Sequence, residues 1–264
     1  MTASRRYGAP RNAMEPNLDK GIADGGDGAR GCVGTLLDVD VSDVLEDVRL
    51  AVYRSLAATG RLPSADRLAE VAGGTVRAAA AIVQLAEQRA WALGDSGEIE
   101  LAHPFGTRSF GYSVMSATTL WWGGCCWDSF AIPNLVPDCG PVVIAGLCPA
   151  CGRALSWRVD TVAPPAGPER AHFLVPTSRM WDDVIHTCSN QLLFCDDECI
   201  DRWLDTNGLD EGYRMDLATL WRFASDWYTG RLDRGYQRRE PAAARTYFES
   251  VGLEGSFWGL PDKS

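Results

Sequence analysis

The sequence predicts an α+β fold, with a winged-helix-like N-terminal helical domain followed by a mixed α/β catalytic domain. Two observations carry this. From Val41 to about position 90 apolar residues recur at three- and four-residue steps, as in Val44, Leu45, Val48, Val52 and Leu56. Beyond His103-Pro104 the pattern changes to short β-branched and aromatic runs bounded by glycine and proline, with short helical stretches between them.

Residues 1–37, rich in Gly, Asp, Arg and Asn, read as a flexible tail. Residues 38–103 read as a winged helix-turn-helix. A first helix starts near Val41 with Ser42 as N-cap and ends at Gly60 and Pro63. Ser64 caps a second helix through Glu70, Gly73-Gly74 breaks it, and Thr75 opens a third to about Gln88. Trp91-Ala92-Leu93 and Ile99-Glu100-Leu101, joined at Asp95-Ser96-Gly97, form the expected hairpin. Residues 104–264 hold the catalytic domain. Strands are expected at 111–114, 141–145, 154–159 and 172–175, and helices at 125–131, 181–185, 197–206, 215–228 and 241–251.

Composition removes several function classes. With 264 residues, 46% hydrophobic residues and ten tryptophans, the chain can bury a large core. A formal charge of −10 disfavours a nucleic-acid surface. The would-be recognition helix TVRAAAAIVQLAEQ agrees, offering one arginine and no lysine. The helical domain is therefore expected to support or cover the catalytic domain. No apolar run is long enough to span a bilayer, and Arg5-Arg6 has no apolar segment behind it, so no secretory signal is expected. The expected location is the cytoplasm.

Nine cysteines in a cytoplasmic chain point to metal binding or catalysis rather than disulfides. In Gly123-Gly124-Cys125-Cys126-Trp127-Asp128, a thiol and a carboxylate three residues apart fall on one helix face. The glycines leave the backbone free to turn, which puts Cys125 near a helix N-terminus, where the dipole favours thiolate. Cys188, in His186-Thr187-Cys188-Ser189, could complete a site of two sulfurs and one carboxylate. Thiolates suit a soft metal ion, and a carboxyl group can deliver a proton. Trp121, Trp122, Trp127, Phe130 and Trp181 are suitable walls for an apolar pocket around it.

The stretches Trp121–Pro133 (WWGGCCWDSFAIP) and His172–Leu204 resemble organomercurial (alkylmercury) lyase, and the similarity extends over residues 41–260. The resemblance implies protonolysis of a carbon–mercury bond in a small organomercurial substrate. Cys125 would be the first thiolate, Asp128 the proton carrier and Cys188 the second thiolate. Mercury would rest on Cys125 and Cys188, then pass to a low-molecular-weight thiol or a mercuric reductase. No organic cofactor is implied. Some relatives carry a cysteine where this chain has Ser189. Three rivals stand beside the lyase: a non-enzymatic thiolate protein binding mercury, copper or zinc, a lyase-like enzyme recruited to another substrate, and a transcription regulator. A metal store has no use for Asp128.

Cys148-Pro149-Ala150-Cys151 and Cys195-Asp196-Asp197-Glu198-Cys199 have the C-x-x-C and C-x-x-x-C spacing of a four-thiolate structural zinc site. The long insert between them is the weak point, and four buried reduced thiols are the alternative. Cys32 and Cys139 match no pattern. Surface or packing roles are expected for His103, His172 and His186, with His186 the first to test.

Overall fold

The computed structural model describes residues 33–262, with side chains described from Val41 onward. Cys32 and most of the expected tail lie outside the described residues. Residues 39–264 form one compact unit.

Helices α1 (Val33–Thr59), α2 (Ala65–Ala72) and α3 (Thr75–Glu87) precede strands β1 (Ala92–Leu93) and β2 (Ile99–Ala102). Ser64 caps α2 as expected, its side chain accepting from the Arg67 N–H. Ser42 caps nothing: α1 already begins at Val33, within the stretch expected to be tail. The order of three helices and a hairpin is that of a winged helix, but the hairpin does not stand apart. Strand β2 pairs onward with β3 (Phe105–Gly106), so the expected domain join at residue 103 runs through a shared sheet.

Strands β4 (Tyr112–Met115) and β5 (Leu120–Gly123) follow, then α4 (Cys126–Leu135), β6 (Val142–Leu147) and β7 (Ala154–Val159). Together β1–β7 make a seven-stranded antiparallel sheet in the order β1-β2-β3-β5-β4-β6-β7. Next come β8 (Arg170–Phe173), α5 (Val184–Ser189), β9 (Gln191–Phe194), α6 (Asp197–Asn207), β10 (Tyr213–Asp216), α7 (Leu217–Ser225) and α8 (Pro241–Ser250). Strands β10-β8-β9 form a second antiparallel sheet.

Helix α4 organises the core. Cys126 through Pro133 and Leu135 are all buried, so it has no solvent face. It contacts β3–β6 of the larger sheet on one side and β9 and α7 on the other. Helix α1 is tied to the same core, because the Trp121 indole N–H donates to the Leu56 and Ala57 carbonyls at 2.9 and 3.1 Å. Between the sheets, the Tyr112 hydroxyl accepts from the Leu193 N–H at 2.6 Å. No single described helix is long and apolar enough to cross a membrane.

Candidate active site

Cys125 is the N-cap of α4, as its spacing to Asp128 requires, and its Sγ accepts the Asp128 N–H at 3.3 Å. The glycines before it matter for room, not for an unusual turn. A Cβ on Gly124 would lie 2.4 Å from Asp128 Oδ2 and from Leu101 Cδ1, and one on Gly123 would lie 2.0 Å from Ser129 Oγ. Only glycine lets β5 approach the first turn of α4 so closely.

Asp128 is fully buried. Its Oδ1 accepts the Tyr228 hydroxyl at 2.5 Å, and its Oδ2 lies 3.0 Å from His103 Nδ1. Cys188, on α5 behind the Asp183 N-cap, puts its sulfur 3.9 Å from the same His103 Nδ1 and in hydrogen-bond contact with Cys125. The donor atoms of His103, Asp128 and Cys188 all lie within 4.8 Å of one another. Arg231, also buried, holds the group from behind. It donates to the His103 carbonyl at 2.8 Å and to the hydroxyls of Tyr53 and Tyr236, each at 3.1 Å. Through Tyr53, helix α1 reaches the site.

The electrostatics reverse the expected roles of the two thiols. Burial pushes Cys125 well above the usual thiol range despite its helix N-terminus, and its hydrogen bond to Cys188 adds to this. Burial acts on Cys188 too, but there the Cys125 thiol and the positive charge of His103 outweigh it, and its pKa is lowered. Burial alone would lower His103; the negative charges of Cys188 and Asp128 outweigh it and raise the imidazole to about 10. Cys188 is thus the more acidic of the two thiols and lies beside a His103 imidazolium, while Cys125 is the one that holds its proton more tightly.

The structure brings Cys125, Asp128 and Cys188 together as expected. Trp127 and Trp181 line the adjoining cavity, whereas Trp121, Trp122 and Phe130 do not. Cys126 is buried beside the cluster. His186 and Ser189 are exposed on α5, away from the carboxylate. His103 is the reverse case: expected to have a surface or packing role, it sits at the centre because β2 ends at Ala102 and delivers the next residue under α4. Tyr228 and Arg231 were missed as well. Both lie in the turn after α7, where no spacing links them to Asp128.

The second cysteine group also assembles. The sulfurs of Cys148, Cys151, Cys195 and Cys199 lie within 4.8 Å of one another, and the Cys151–Cys195 distance is 3.5 Å.

Residues 105–229 match the family model of alkylmercury lyase, and this span contains Cys125, Asp128 and Cys188. Over this span, just under half of the chain, the sequence is similar to the alkylmercury lyase family. Among solved structures, it is similar in fold to one described as the mercury-bound form of MerB2, with a TM-score of 0.55 and 13% identity. That likeness covers 75% of this chain and 98% of the other. No curated protein matches. The family match ends before Arg231 and begins after His103, so the partners that set the charges of this site lie at and beyond its edges.

Proposed function

We propose that the chain is an organomercurial lyase that cleaves carbon–mercury bonds by protonolysis, giving a hydrocarbon and a mercuric ion. The observation that carries this is the buried Asp128 carboxylate, held between Tyr228 and His103 and beside two thiols in contact.

The Cys188 thiolate attacks the mercury of R–Hg–X first, forming a sulfur–mercury bond and expelling X⁻. Mercury prefers sulfur to any other protein donor. Cys125, already hydrogen-bonded to Cys188, then binds the same mercury and gives its proton to Asp128. With both sulfurs on the metal, electron density moves onto the bound carbon. Asp128 returns the proton to that carbon, R–H leaves, and mercury stays as a dithiolate. The proton lost by Cys125 is the one gained by carbon. His103 and Tyr228 hold the two carboxylate oxygens and so fix its direction throughout. The mercuric ion then leaves to an external thiol, either a small molecule or a mercuric reductase.

A second reading has one observation in its favour. The His103, Asp128 and Cys188 donors are close enough to hold a resident ion, as a metal-binding protein would. Incubating purified protein with phenylmercury and excess small thiol separates the two. The lyase reading expects benzene above the thiol-only background by headspace analysis; background release alone refutes it.

A further inference from the structure

We propose that Cys148, Cys151, Cys195 and Cys199 bind one structural zinc ion, which joins the two sheets and fixes the strand that follows Cys188. A tetrahedral zinc with Zn–S bonds of about 2.3 Å needs sulfurs about 3.8 Å apart. The four sulfurs, all within 4.8 Å and one pair at 3.5 Å, already lie near that spacing. The backbone has the matching form. In the turn between β6 and β7 the Gly152 N–H bonds the Cys148 carbonyl at 2.8 Å, and the Cys148 N–H bonds the Arg153 carbonyl at 2.9 Å. Cys195 follows β9, and Cys199 sits in the first turn of α6 behind its Asp196 cap. Four thiolates on a divalent ion leave two negative charges, and two cations abut them. Arg202 donates to Cys199 Sγ at 3.3 Å, and Arg153 hydrogen-bonds Cys195.

The placement gives the ion a structural task. Cys148 and Cys151 belong to the β6–β7 edge of the large sheet, and Cys195 and Cys199 to the β9 edge of the small one. Only Ser189 and Asn190 separate Cys188 from β9. Metal at this corner therefore holds the segment that carries the reactive sulfur.

Metal analysis of protein purified under reducing conditions tests this without reference to catalysis. One zinc per chain is expected, and cobalt exchanged into the site should give the absorption of tetrahedral thiolate coordination. Cys151→Ser, which changes the exposed member, should lose the zinc and lower the melting temperature by about 5–10 °C. Cys139→Ser should retain both. Iron in place of zinc overturns the assignment, as does wild-type protein that carries no metal and takes up neither zinc nor cobalt.

A different observation carries a second inference, which rests on the lyase reading: we infer that the cavity over Cys188 accepts organomercurials accompanied by a carboxylate. In a chain of net charge −10, this cavity of about 510 Å³ is lined by Arg89, Arg231, Arg238, Arg239 and Arg245 against one acid, Asp128. Arg239 is paired with Asp226 at 2.8 Å. Arg238 and Arg89 instead stand over Trp181, at 4.5 and 5.4 Å from the ring centre. Trp258, buried in the same wall, has an indole N–H without a partner. Guanidinium forks and an indole N–H are carboxylate donors. That carboxylate can belong to the organic group or to the thiol accompanying mercury.

Steady-state cleavage of 4-carboxyphenylmercury and phenylmercury, each with a neutral or a carboxylated thiol, distinguishes the sources. KM is expected to be about tenfold lower in whichever arm supplies the carboxylate, and Arg238→Gln with Arg89→Gln should abolish that preference. Benzoate, which has no mercury, should quench tryptophan fluorescence saturably in the wild type and weakly in the double variant. Equal KM in all arms with no benzoate binding overturns the inference. Benzoate binding without cleavage of either organomercurial refutes the lyase reading and leaves the anion site standing.

Discussion

The two cysteine groups of this chain differ in what accompanies the sulfur. Around Cys125 and Cys188 there is a carboxylate, an imidazole and a phenol, all buried and sharing hydrogen bonds. Around Cys148, Cys151, Cys195 and Cys199 lie arginines and the half-buried Asp196, whose carboxylate caps α6, with no imidazole or phenol in the cluster among the described residues. Sulfur alone can hold a metal, but breaking a metal–carbon bond also needs a proton delivered in a fixed direction. On the proposed reading, holding and cleaving fall at separate addresses in one fold.

The largest expected effect removes the proton carrier. Asp128→Asn keeps the shape of α4 but cannot transfer the proton, so turnover should fall by ~10²-fold or more. Mercury should still bind, and intact mass should then reveal an uncleaved organomercury adduct. Wild-type turnover in this variant would erase the distinction between the two cysteine groups.

His103→Gln comes next. Without the imidazolium, burial is opposed only by the Cys125 hydrogen bond, so Cys188 should lose acidity and hold less thiolate at pH 7. Stopped-flow capture of phenylmercury should then slow at pH 7 and recover as the pH rises. In the wild type, capture should depend less on pH, because Cys188 is held more acidic. A flat profile in the variant would mean that His103 does not set the state of Cys188.

Gly124→Ala sharpens the geometry of the same half. Its added methyl would meet Asp128 Oδ2 at 2.4 Å, and overpacking of this kind costs about 1–3 kcal/mol. Activity should fall more than chemical denaturation alone would explain, because the carboxylate itself must move. The last effect is a pH dependence away from both groups, and it leaves turnover near neutral pH unchanged. His172 is buried against Phe194 and Trp203, and burial lowers its pKa to about 4 from 6.5. The unfolded chain therefore takes up a proton that the folded one refuses, and stability drops as pH falls from 6.5 toward 4, by up to about 3 kcal/mol. His172→Phe should flatten that part of the denaturation profile relative to the wild type.

Sequence made one half of this comparison much clearer than the other. The four-thiolate group was legible because knuckle spacing and a helix start are local patterns, and both formed where expected. Cys125 and Asp128 were legible for the same reason, being one helical turn apart. Their charge states were not, because dipole reasoning from sequence carries no measure of burial, and burial dominates at Cys125. His103, Tyr228 and Arg231 come from a strand end and a post-helix turn, joined to Asp128 only through tertiary packing. Helix α1 was located by its apolar period but begun too late, because Ser42 looks like a cap wherever the backbone before it is unknown.

The reach of the hydrogen bond from Tyr228 to Asp128 has a consequence in time. The two residues are 100 positions apart. A ribosome adding about 5–20 residues per second takes roughly 5–20 s to cover that distance. For that interval the nascent chain carries Cys125 and Asp128 but neither Tyr228 nor Arg231. A chain born in the presence of an organomercurial can thus meet the metal on its sulfur before Tyr228, which holds one of the two carboxylate oxygens, exists. Cell-free translation with the compound added at timed points should recover fewer active molecules when addition falls inside that window than when it follows chain release.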